Sequence, residues 1–600
     1  MSPDFEDRSD FDNAARGLID AGDPVTITGS DGGVIFDLTP YAFLDADCPE
    51  TVNPSLWRQA QLVAQHGLYE VSEGIYQIRG FDLSNMTLIE GDTGVVVVDP
   101  LVSAETAAAG LALYRKHRGD RPITGMIYTH SHGDHFGGVL GVLPDGRGDV
   151  PVIAPNGFLA EAVSENVYAG VAMIRRGNYM YGLTLPKSAT GQVGTGLGVG
   201  GSGGTVGLIA PTLDITHTGQ EERVDGVRIV FQITPGTEAP AEMNFHLPDR
   251  RALCMAENAS HTLHNLLTLR GAQVRDPRIW AHYLNEAIEL FADETDVAFA
   301  SHHWPTWGQA TIIHYMEQQR DLYAYLHDQT VRLLNTGLTG IEIAEDFELP
   351  PALDTAWHAR GYYGSVSHNV KAIYQRYLGW FDGHPSSLWQ HPPKAAAERY
   401  VETIGGIDAV VDKARGYLAR NDYRFAAELL KHAVYADPDH AGARAALADT
   451  YDHLGYGAEN ATWRNFYLTG AKELRGDITP PALDFGGGMA AALTHQQILD
   501  TIAIRINGPR AAADRLTIEW QFTDTHTIRT TLSNGALIQT ADPRRPEPAD
   551  LTLTLTKVDL LNLIAGHTVT ELGHSGDPGV WERLTGYLDQ PAPAFAVVTP

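Results

Sequence analysis

One segment of ten residues constrains the fold of this chain more than any other. It reads THSHGDHFGG (129–138) and follows directly on a short apolar run. A strand that ends in a turn lets His130 and His132 project together, and Asp134 and His135 then begin a helix whose start aims them at a neighbouring point. One cluster can therefore supply ligands to two metal ions. Imidazoles and a carboxylate without a thiolate are typical of an open catalytic zinc site.

The sequence around this segment alternates between strands and helices. Three apolar runs before residue 100 are separated by turn residues, which predicts three strands. A helical pattern at 104–118 and the apolar run before the histidines complete a strand–helix–strand unit. Further strands are predicted within 223–235 and 251–258. We therefore expect an α/β domain over 69–335, with residues 1–68 as an N-terminal extension packed on it.

The composition changes after about residue 335, and residues 336–480 have a helical pattern. Apolar residues recur on one stripe of each of two helices, which Asp437 and Pro438 separate. The pair is similar to a tetratricopeptide-like hairpin, but one unit is too few for a free-standing solenoid. We expect a helical packing or dimerisation domain. The stripes consist of Ala426, Leu429, Leu430 and Ala433, and of Ala443, Ala446, Leu447 and Tyr451.

A further domain is predicted at 485–600. It starts with a glycine linker at 486–488, continues with a helix and four alternating strands, and then has two helices and a last strand at 595–599. This is an α+β pattern. The fold class is therefore multidomain: α/β, then α, then α+β.

Composition and charge exclude several classes of protein. Lys and Arg number 43 and Asp and Glu number 74, so the net charge is −31 and a nucleic-acid partner is not expected. Two cysteines exclude a disulfide scaffold. No stretch of about 18 apolar residues occurs, so no membrane span is expected. The start of the chain lacks the pattern of a signal peptide, and we expect a cytoplasmic location.

The histidine segment resembles that of the metallo-β-lactamase superfamily, and Asp99 fits the early carboxylate that braces the metal loop there. Glu238 and Glu257 stand where other branches carry a His and then an Asp or Cys. Together with the motifs GFDLSNMT, HTLHNLLTLRG and GYYGSVSHNVKAIYQRYLGW, they resemble the alkylsulfatase branch, which acts on linear primary or secondary esters. The resemblance implies an αββα sandwich, a helical dimerisation domain and a C-terminal domain similar to sterol carrier proteins.

The resemblance also implies the ligands of two Zn²⁺ ions per chain. The two sets share Glu257 as a bridge. Glu242 is a rival for Glu238, and His303 is a rival for His302. The first set is His130, His132 and Glu238, and the second is Asp134, His135 and His302.

The same resemblance makes the stretch from Asn265 to Arg270 a sulfate-binding element. A guanidinium at Arg270 matches two sulfate oxygens and opposes the overall negative charge. A surface salt bridge is the alternative role. Tyr181 lies in a stretch that could line an alkyl pocket or pack in the core. The candidates for protonating or hydrogen-bonding the ester are His261, His264 and His368.

A glycine-rich run contains a GxGxxG match at 196–201, but it does not lie between a strand and a helix. A dinucleotide-binding role is therefore not indicated, and a flexible active-site loop is expected instead.

These features predict a dizinc enzyme that converts an alkyl sulfate and water into an alcohol and sulfate. Attack on carbon or on sulfur both stay open at this point. Two alternatives differ in class: another hydrolase of the superfamily, acting on phosphoesters or lactones, and a lipid-binding protein built on the C-terminal domain. The helical domain is expected to form a homodimer.

Overall fold

The computed structural model describes residues 3–22, 25–476, 478, 489–545 and 547–600. They form two compact units. The predicted glycine linker at 486–488 lies outside the described residues. The predicted domain boundaries at 68 and 335 both fall inside the larger unit and stay predictions. The larger unit contains the described residues of 1–162, 172–483 and 594–600, and the smaller contains those of 163–171 and 484–593.

Two large sheets make up most of the strand content of the larger unit. Their strands are β1 (Leu18–Asp20), β4 (Gly67–Ser72), β5 (Ile75–Arg79), β6 (Met86–Glu90), β7 (Val95–Val98), β8 (Ile123–Ile127), β9 (Val152–Pro155) and β10 (Leu213–Ile215) in the first, and β11 (Glu221–Val224), β12 (Val227–Ile233), β13 (Met243–Leu247), β14 (Ala252–Cys254), β15 (Val297–Phe299) and β16 (Thr306–Trp307) in the second. Each sheet is ordered as written. A separate hairpin pairs β2 (Thr26–Thr28) with β3 (Val34–Asp37).

The two sheets face each other across one core. All four valines of β7 are buried, as expected for a strand that is covered on both faces. Val98 and Ile127 of the first sheet share a cluster with Phe231 and Phe245 of the second. Helices flank the strands along the chain, so the predicted αββα sandwich is confirmed. The N-terminal extension contributes β1, which pairs antiparallel with β4 at the edge of the first sheet.

Capping residues set the bounds of α3 (Ala104–Arg118), which agrees with its prediction. The Ser103 side chain accepts a hydrogen bond from the amide of Thr106, and Gly119 ends the helix at φ +85°. The other helices up to residue 346 are α1 (Ser9–Ala15), α2 (Pro54–Val63), α4 (Val139–Val142), α5 (Phe158–Val163), α6 (Gly170–Met180), α7 (Pro277–Phe291), α8 (Gln309–Leu334) and α9 (Gly340–Asp346).

The predicted helical region is present and has its own core. The first predicted stripe lies in the helix Tyr423–Ala436, where Leu430 and Ala433 are fully buried. The second lies in the helix Ala441–Gly457, where Tyr451 is only half-buried. The helices are α10 (Pro351–Asp354), α11 (Val366–Leu378), α12 (Pro393–Ile404), α13 (Ile407–Leu418), α14 (Tyr423–Ala436), α15 (Ala441–Gly457) and α16 (Ala461–Arg475). Among the described residues, no helix has the length and apolarity needed to cross a membrane.

The smaller unit is α+β, as predicted. Its five strands pair in the order Ala536–Ala541, Thr527–Ser533, Leu516–Phe522, Leu551–Leu555 and Gly573–Gly576. The predicted strand at 595–599 is wrong: these residues belong to the larger unit, where the amide of Val597 donates to Glu473. The elements are α17 (His495–Ala503), α18 (Gly508–Ala511), β17 (Leu516–Phe522), β18 (Thr527–Ser533), β19 (Ala536–Ala541), β20 (Leu551–Leu555), α19 (Lys557–Ile564), β21 (Gly573–Gly576) and α20 (Gly579–Thr585).

Candidate metal centre

Four strand ends bring the predicted metal ligands together. Strands β7 and β8 run parallel, as do β14 and β15, so the carboxyl ends within each pair meet at one edge. Asp99 follows β7, the histidine segment follows β8, Glu257 lies three residues beyond β14, and His302 lies three beyond β15. The amide of Met243 donates to the carbonyl oxygen of Thr129 and so joins the two sheets at this point.

The acidic and imidazole groups form three overlapping clusters, and within each the ligand atoms lie within 4.8 Å of one another. One cluster joins Asp99 to His130 and His135, and the other two are the candidate metal clusters. Their membership follows the predicted division. Glu257 Oε2 lies 3.3–3.4 Å from Nε2 of His130, His135 and His302, a position between the clusters that fits a bridging carboxylate. The first cluster is His130, His132, Glu238 and Glu257, and the second is Asp134, His135 and His302.

Three of the histidines are oriented through their other ring nitrogen. In His130, His135 and His302, Nδ1 contacts a neighbouring oxygen atom, and Nε2 points into the clusters. Each of these Nε2 atoms is buried and makes no hydrogen bond to any described residue. Buried acceptors of this kind fit a metal ion, which takes neutral imidazole nitrogens as ligands. The atoms that hold Nδ1 are Thr129 Oγ1 at 3.0 Å, Asp99 Oδ2 at 3.0 Å and Leu83 O at 3.1 Å.

Asp99 occupies the position predicted for a bracing carboxylate. It has a φ of +53°, is buried, and accepts hydrogen bonds from the amide and hydroxyl of Thr129 at 2.8 and 2.7 Å and from Ser301 at 2.6 Å. Burial alone would raise the pKa of Asp99, but the neighbouring His135 and these hydrogen bonds hold it below its usual value. Asp99 therefore fixes the start of the histidine segment to the loop that carries His302.

The centre concentrates negative charge in a buried space. Burial would raise the pKa of Glu238, yet Arg275 and the histidines lower it to about 2. Glu257 has a pKa well below its usual value, because the His302 and His264 imidazoles outweigh its burial. Several ionised carboxylates in one buried site need cations to balance them. Together with the oriented imidazoles, they fit two divalent metal ions.

The two rival ligands have other contacts. Glu242 is fully buried and accepts hydrogen bonds from Thr237 Oγ1 at 2.7 Å, from the amide of Ala239 at 3.1 Å and from the amide of Glu257 at 3.2 Å. Burial and the neighbouring Glu238 raise its pKa to about 8.

The His303 ring contacts the amide of His261 and the carbonyl oxygen of Gly196. The geometry thus favours Glu238 and His302 as ligands.

The predicted sulfate-binding element at residues 265–270, the anion-binding segment, lies beside the clusters. His264 Nε2 lies 2.8 Å from Glu257 Oε1, and Asn265 follows it with no exposed surface. Arg270 is half-buried farther along the same segment. The Tyr181 hydroxyl lies 3.1 Å from that of Tyr363, and Arg270 offsets part of the burial effect that raises the pKa of Tyr181.

His368 and His261 lie apart from the metal groups. The His368 ring contacts the carbonyl oxygen of Leu267, and burial lowers its pKa to about 4. The His261 ring stacks between Trp304 and Tyr315, and burial lowers its pKa to about 3. In the described part of the chain, neither ring makes a hydrogen bond to a predicted metal ligand.

Sequence reasoning missed Arg275 and Tyr363. Arg275 Nη2 lies 2.5 Å from Glu238 Oε1, and the Tyr363 ring packs against that of His264. A signal for Arg275 was present, because a second arginine follows Arg270 by five residues in a chain of strong negative charge. Tyr363 lies within the motif GYYGSVSHN that the resemblance rests on, with nothing to single it out.

The glycine-rich run, expected as a flexible loop, lies in the interior: residues 191–200 are buried. Gly196 has a φ of +92°, and a Cβ there would lie 2.5 Å from the carbonyl oxygen of Tyr362. Only glycine therefore allows this approach. Leu197 of this run belongs to an apolar cluster whose other buried members are Leu83, Val102, Met180 and Tyr363.

The chain is similar to known proteins over almost its whole length. A linear primary-alkylsulfatase of Pseudomonas sp. is 46% identical and aligns with 99% of this chain and 90% of its own length. An (R)-specific secondary-alkylsulfatase of Pseudomonas sp. is 44% identical over 99% of this chain and 92% of its own. The solved structure of a stereoselective inverting sec-alkylsulfatase from Pseudomonas sp. superposes with a TM-score of 0.96 at 44% identity, covering 100% of this chain and 96% of that one.

Three family models match successive parts of the chain. The metallo-beta-lactamase superfamily matches residues 79–302, alkyl sulfatase dimerisation matches 339–477, and the alkyl sulfatase C-terminal family matches 486–600. The order of the three agrees with the predicted order of α/β, α and α+β regions.

Proposed function

This chain belongs to the alkylsulfatase family within the metallo-beta-lactamase superfamily, and we propose that it holds two zinc ions and cleaves alkyl sulfates at the carbon–oxygen bond. Its membership makes it a hydrolase of sulfuric esters, as predicted, rather than a lipid-binding protein. The observation that carries the proposal is the pair of clusters with Glu257 Oε2 between them, 3.3–3.4 Å from Nε2 of His130, His135 and His302.

The proposed ligands are those predicted from the sequence. His130, His132 and Glu238 would hold one ion, and Asp134, His135 and His302 the other, with Glu257 between them. Imidazole and carboxylate donors without a thiolate suit zinc. When bound, zinc lowers the pKa of a coordinated water and offsets negative charge. The buried free cysteine, Cys254, packs in the sheet core and is not part of either cluster.

The sulfate group would bind to Asn265 and Arg270. Asn265 Nδ2 is buried and has no hydrogen-bond partner among the described residues, so it offers a donor to an anion. Arg270 adds a guanidinium, which forms paired hydrogen bonds with two oxygens of such a group. Tyr181 and the apolar cluster with Leu83 and Met180 lie alongside and would take the first carbons of the alkyl chain.

The contacts of the predicted acids favour attack on carbon. His264 Nε2 contacts Glu257, and Nδ1 contacts Arg275 and the carbonyl oxygen of Asn265, so protein groups engage both ring nitrogens and leave neither facing a leaving alkoxide. The Nε2 atom of His368 contacts the carbonyl oxygen of Leu267. Attack on carbon needs no such acid: the oxygen of water forms the new bond to carbon, the bonding pair leaves with sulfate, and the proton of water passes to solvent. His264 would then position Glu257.

Hydrolysis in H₂¹⁸O tests the route and the metal together. With a panel of primary and secondary alkyl sulfates, we expect the label in the alcohol, loss of turnover with a chelator, and recovery with zinc. Elemental analysis is expected to give about two zinc ions per chain. Label in the sulfate would overturn attack on carbon, and a single zinc after supplementation would overturn the dinuclear assignment. Inversion at a secondary carbon is expected if the attack is direct.

We further propose that the predicted homodimer forms through an apolar surface patch in the region that matches the dimerisation family. Trp380 is 77% exposed and Trp389 is 96% exposed, and Leu388 between them is also exposed. Asp382 is the only Asp, Glu, Lys or Arg from 377 to 393. Two copies of a chain with 31 excess negative charges repel each other least where the contacting surfaces carry few charged residues.

Light scattering tests this patch. We expect about twice the chain mass of 65.2 kDa for the parent protein and a shift toward the monomer for Trp380→Ser with Trp389→Ser. A monomeric parent would contradict the homodimer, and an unchanged dimer in the variant would contradict the patch. The cytoplasmic location stays a prediction.

A further inference from the structure

Arg275 lies between the metal clusters and the anion-binding segment. Its side chain is 5% exposed, and the next residue, Asp276, caps α7. Nη2 lies 2.5 Å from Oε1 of Glu238, while Nη1 lies 2.6 Å from Oδ1 of Asn265. One guanidinium thus contacts a predicted zinc ligand and a predicted sulfate ligand.

The contact with Asn265 determines which end of its amide faces the site. A guanidinium has donors and no acceptor, so Oδ1 is the end that turns toward Arg275. Nδ2 must then turn away from it, and this atom is buried without a hydrogen-bond partner among the described residues. With the amide reversed, a carbonyl oxygen would face the substrate and repel the sulfate oxygens.

The remaining contacts of Arg275 stabilise the same arrangement. Nη1 also lies 2.7 Å from the carbonyl oxygen of Asn265 and 2.9 Å from Nδ1 of His264. The Arg275 amide donates to the carbonyl oxygen of Leu266. Arg275 therefore contacts the side chains of His264 and Asn265 and the backbone of Asn265 and Leu266.

We propose that Arg275 is a positioning residue that presents the N–H group of Asn265 to the sulfate of the substrate. This inference rests on the proposed function. Arg275 does not contact the sulfate itself: it acts through Asn265, and its second branch keeps that amide at a fixed place relative to Glu238.

A double-mutant cycle on sulfate binding tests the inference. The dissociation constant of inorganic sulfate is measured by calorimetry on zinc-loaded protein for the parent, Arg275→Lys, Asn265→Ala and the double variant. Lysine keeps a charge beside Glu238 but lacks the fork that reaches Asn265 as well. We expect about 10-fold weaker binding in each single variant and no further loss in the double variant, with two zinc ions retained throughout.

Arg58→Lys is the matched control, because Arg58 is also buried and its ion pair is with Asp10. It is expected to keep the parent affinity for sulfate. If Arg275→Lys does not fold, Arg275→Met completes the same cycle. Additive losses, or parent affinity in the Arg275 variants, would overturn the inference. Failure of the proposed function looks different, since the parent itself would then release no sulfate from alkyl sulfates.

Discussion

The histidine segment and the anion-binding segment reach the same site by different means. Residues 129–135 follow a buried strand directly, and the partners that orient their rings include the adjacent Thr129 and the neighbouring strand end at Asp99. The anion-binding segment at 265–270 lies in a stretch from 261 to 275 that contains no helix or strand. The partners of this stretch come from distant parts of the chain, such as Tyr323, which accepts from the amide of His264, and Asn369, which accepts from that of Leu266.

The difference separates two kinds of information in the sequence. A strand followed by closely spaced ligands fixes its own geometry, because the sheet sets the direction of each side chain. A segment without regular structure takes its shape from groups that are remote in sequence. Substitutions in the histidine segment are therefore expected to remove metal. Substitutions in the anion-binding segment are expected to weaken substrate binding with the metal in place.

The largest effect is expected from Asp134→Ala in the histidine segment. Loss of this carboxylate leaves the second cluster with two imidazoles and Glu257, so we expect loss of zinc and at least ~10³-fold lower kcat/KM, since a metal ion supplies several kcal/mol to such a reaction. Elemental analysis and steady-state kinetics measure the two effects. Asp145→Ala, at an exposed position in the next loop, is the control. Full zinc content in Asp134→Ala would refute its assignment as a ligand.

Arg270→Ala is expected to separate the two segments most clearly. It should keep both zinc ions and lose ~2–4 kcal/mol of transition-state stabilisation, the loss typical of one such donor. Arg270→Lys should recover part of this, because an ammonium cannot form the paired hydrogen bonds. The measurement is kcat/KM for a medium-chain alkyl sulfate, with the exposed Arg278→Ala as control. Parent activity in Arg270→Ala would exclude a role in sulfate binding.

Glu242→Gln tests whether the glutamate ligands depend on a remote group. Glu242 joins the amides of Ala239 and Glu257, and a glutamine would direct an N–H group at one of them. We expect ~10–100-fold weaker zinc binding, as for other groups that orient metal ligands. Competition with a chromogenic chelator gives the affinity. Glu238→Gln should lose more, and an equal loss in both variants would show that Glu242 is itself a ligand.

The smallest effect is expected in the pH dependence of the stability of the folded chain. Burial lowers the pKa of His368 to about 4, whereas an unfolded histidine has a pKa of about 6.5. Below pH ~6.5 the unfolded chain binds a proton at His368 that the folded chain does not. The free energy of unfolding is therefore unaffected by His368 above pH ~6.5, and it decreases by up to ~1.4 kcal/mol per pH unit as the pH falls toward 4. Denaturant unfolding of chelator-treated protein at pH 7, 6 and 5 should show a smaller slope for His368→Gln. An identical slope would contradict the buried neutral state.

Much of the fold and the metal ligands could be predicted from local pattern. The bounds of α3 follow from Ser103 and Gly119, and the two predicted ligand sets follow from one motif and its resemblance. Strand β21 could not be predicted, because its residues GHSG have little strand propensity and pair only through the ladder with β20. Arg275 could not be predicted either, because its contacts with Glu238 and Asn265 form only in the folded chain.

Residues 594–600 follow the smaller unit in sequence but pack in the larger one. Arg175 donates to the carbonyl oxygen of Phe595, Glu473 accepts from the amides of Val597 and Val598, and Val598 packs against the helical core. A ribosome therefore makes the whole smaller unit before it makes the residues that complete the larger one. The order of synthesis and the order of completion differ: Glu473 gains the amides of Val597 and Val598 only after more than a hundred further residues have been translated.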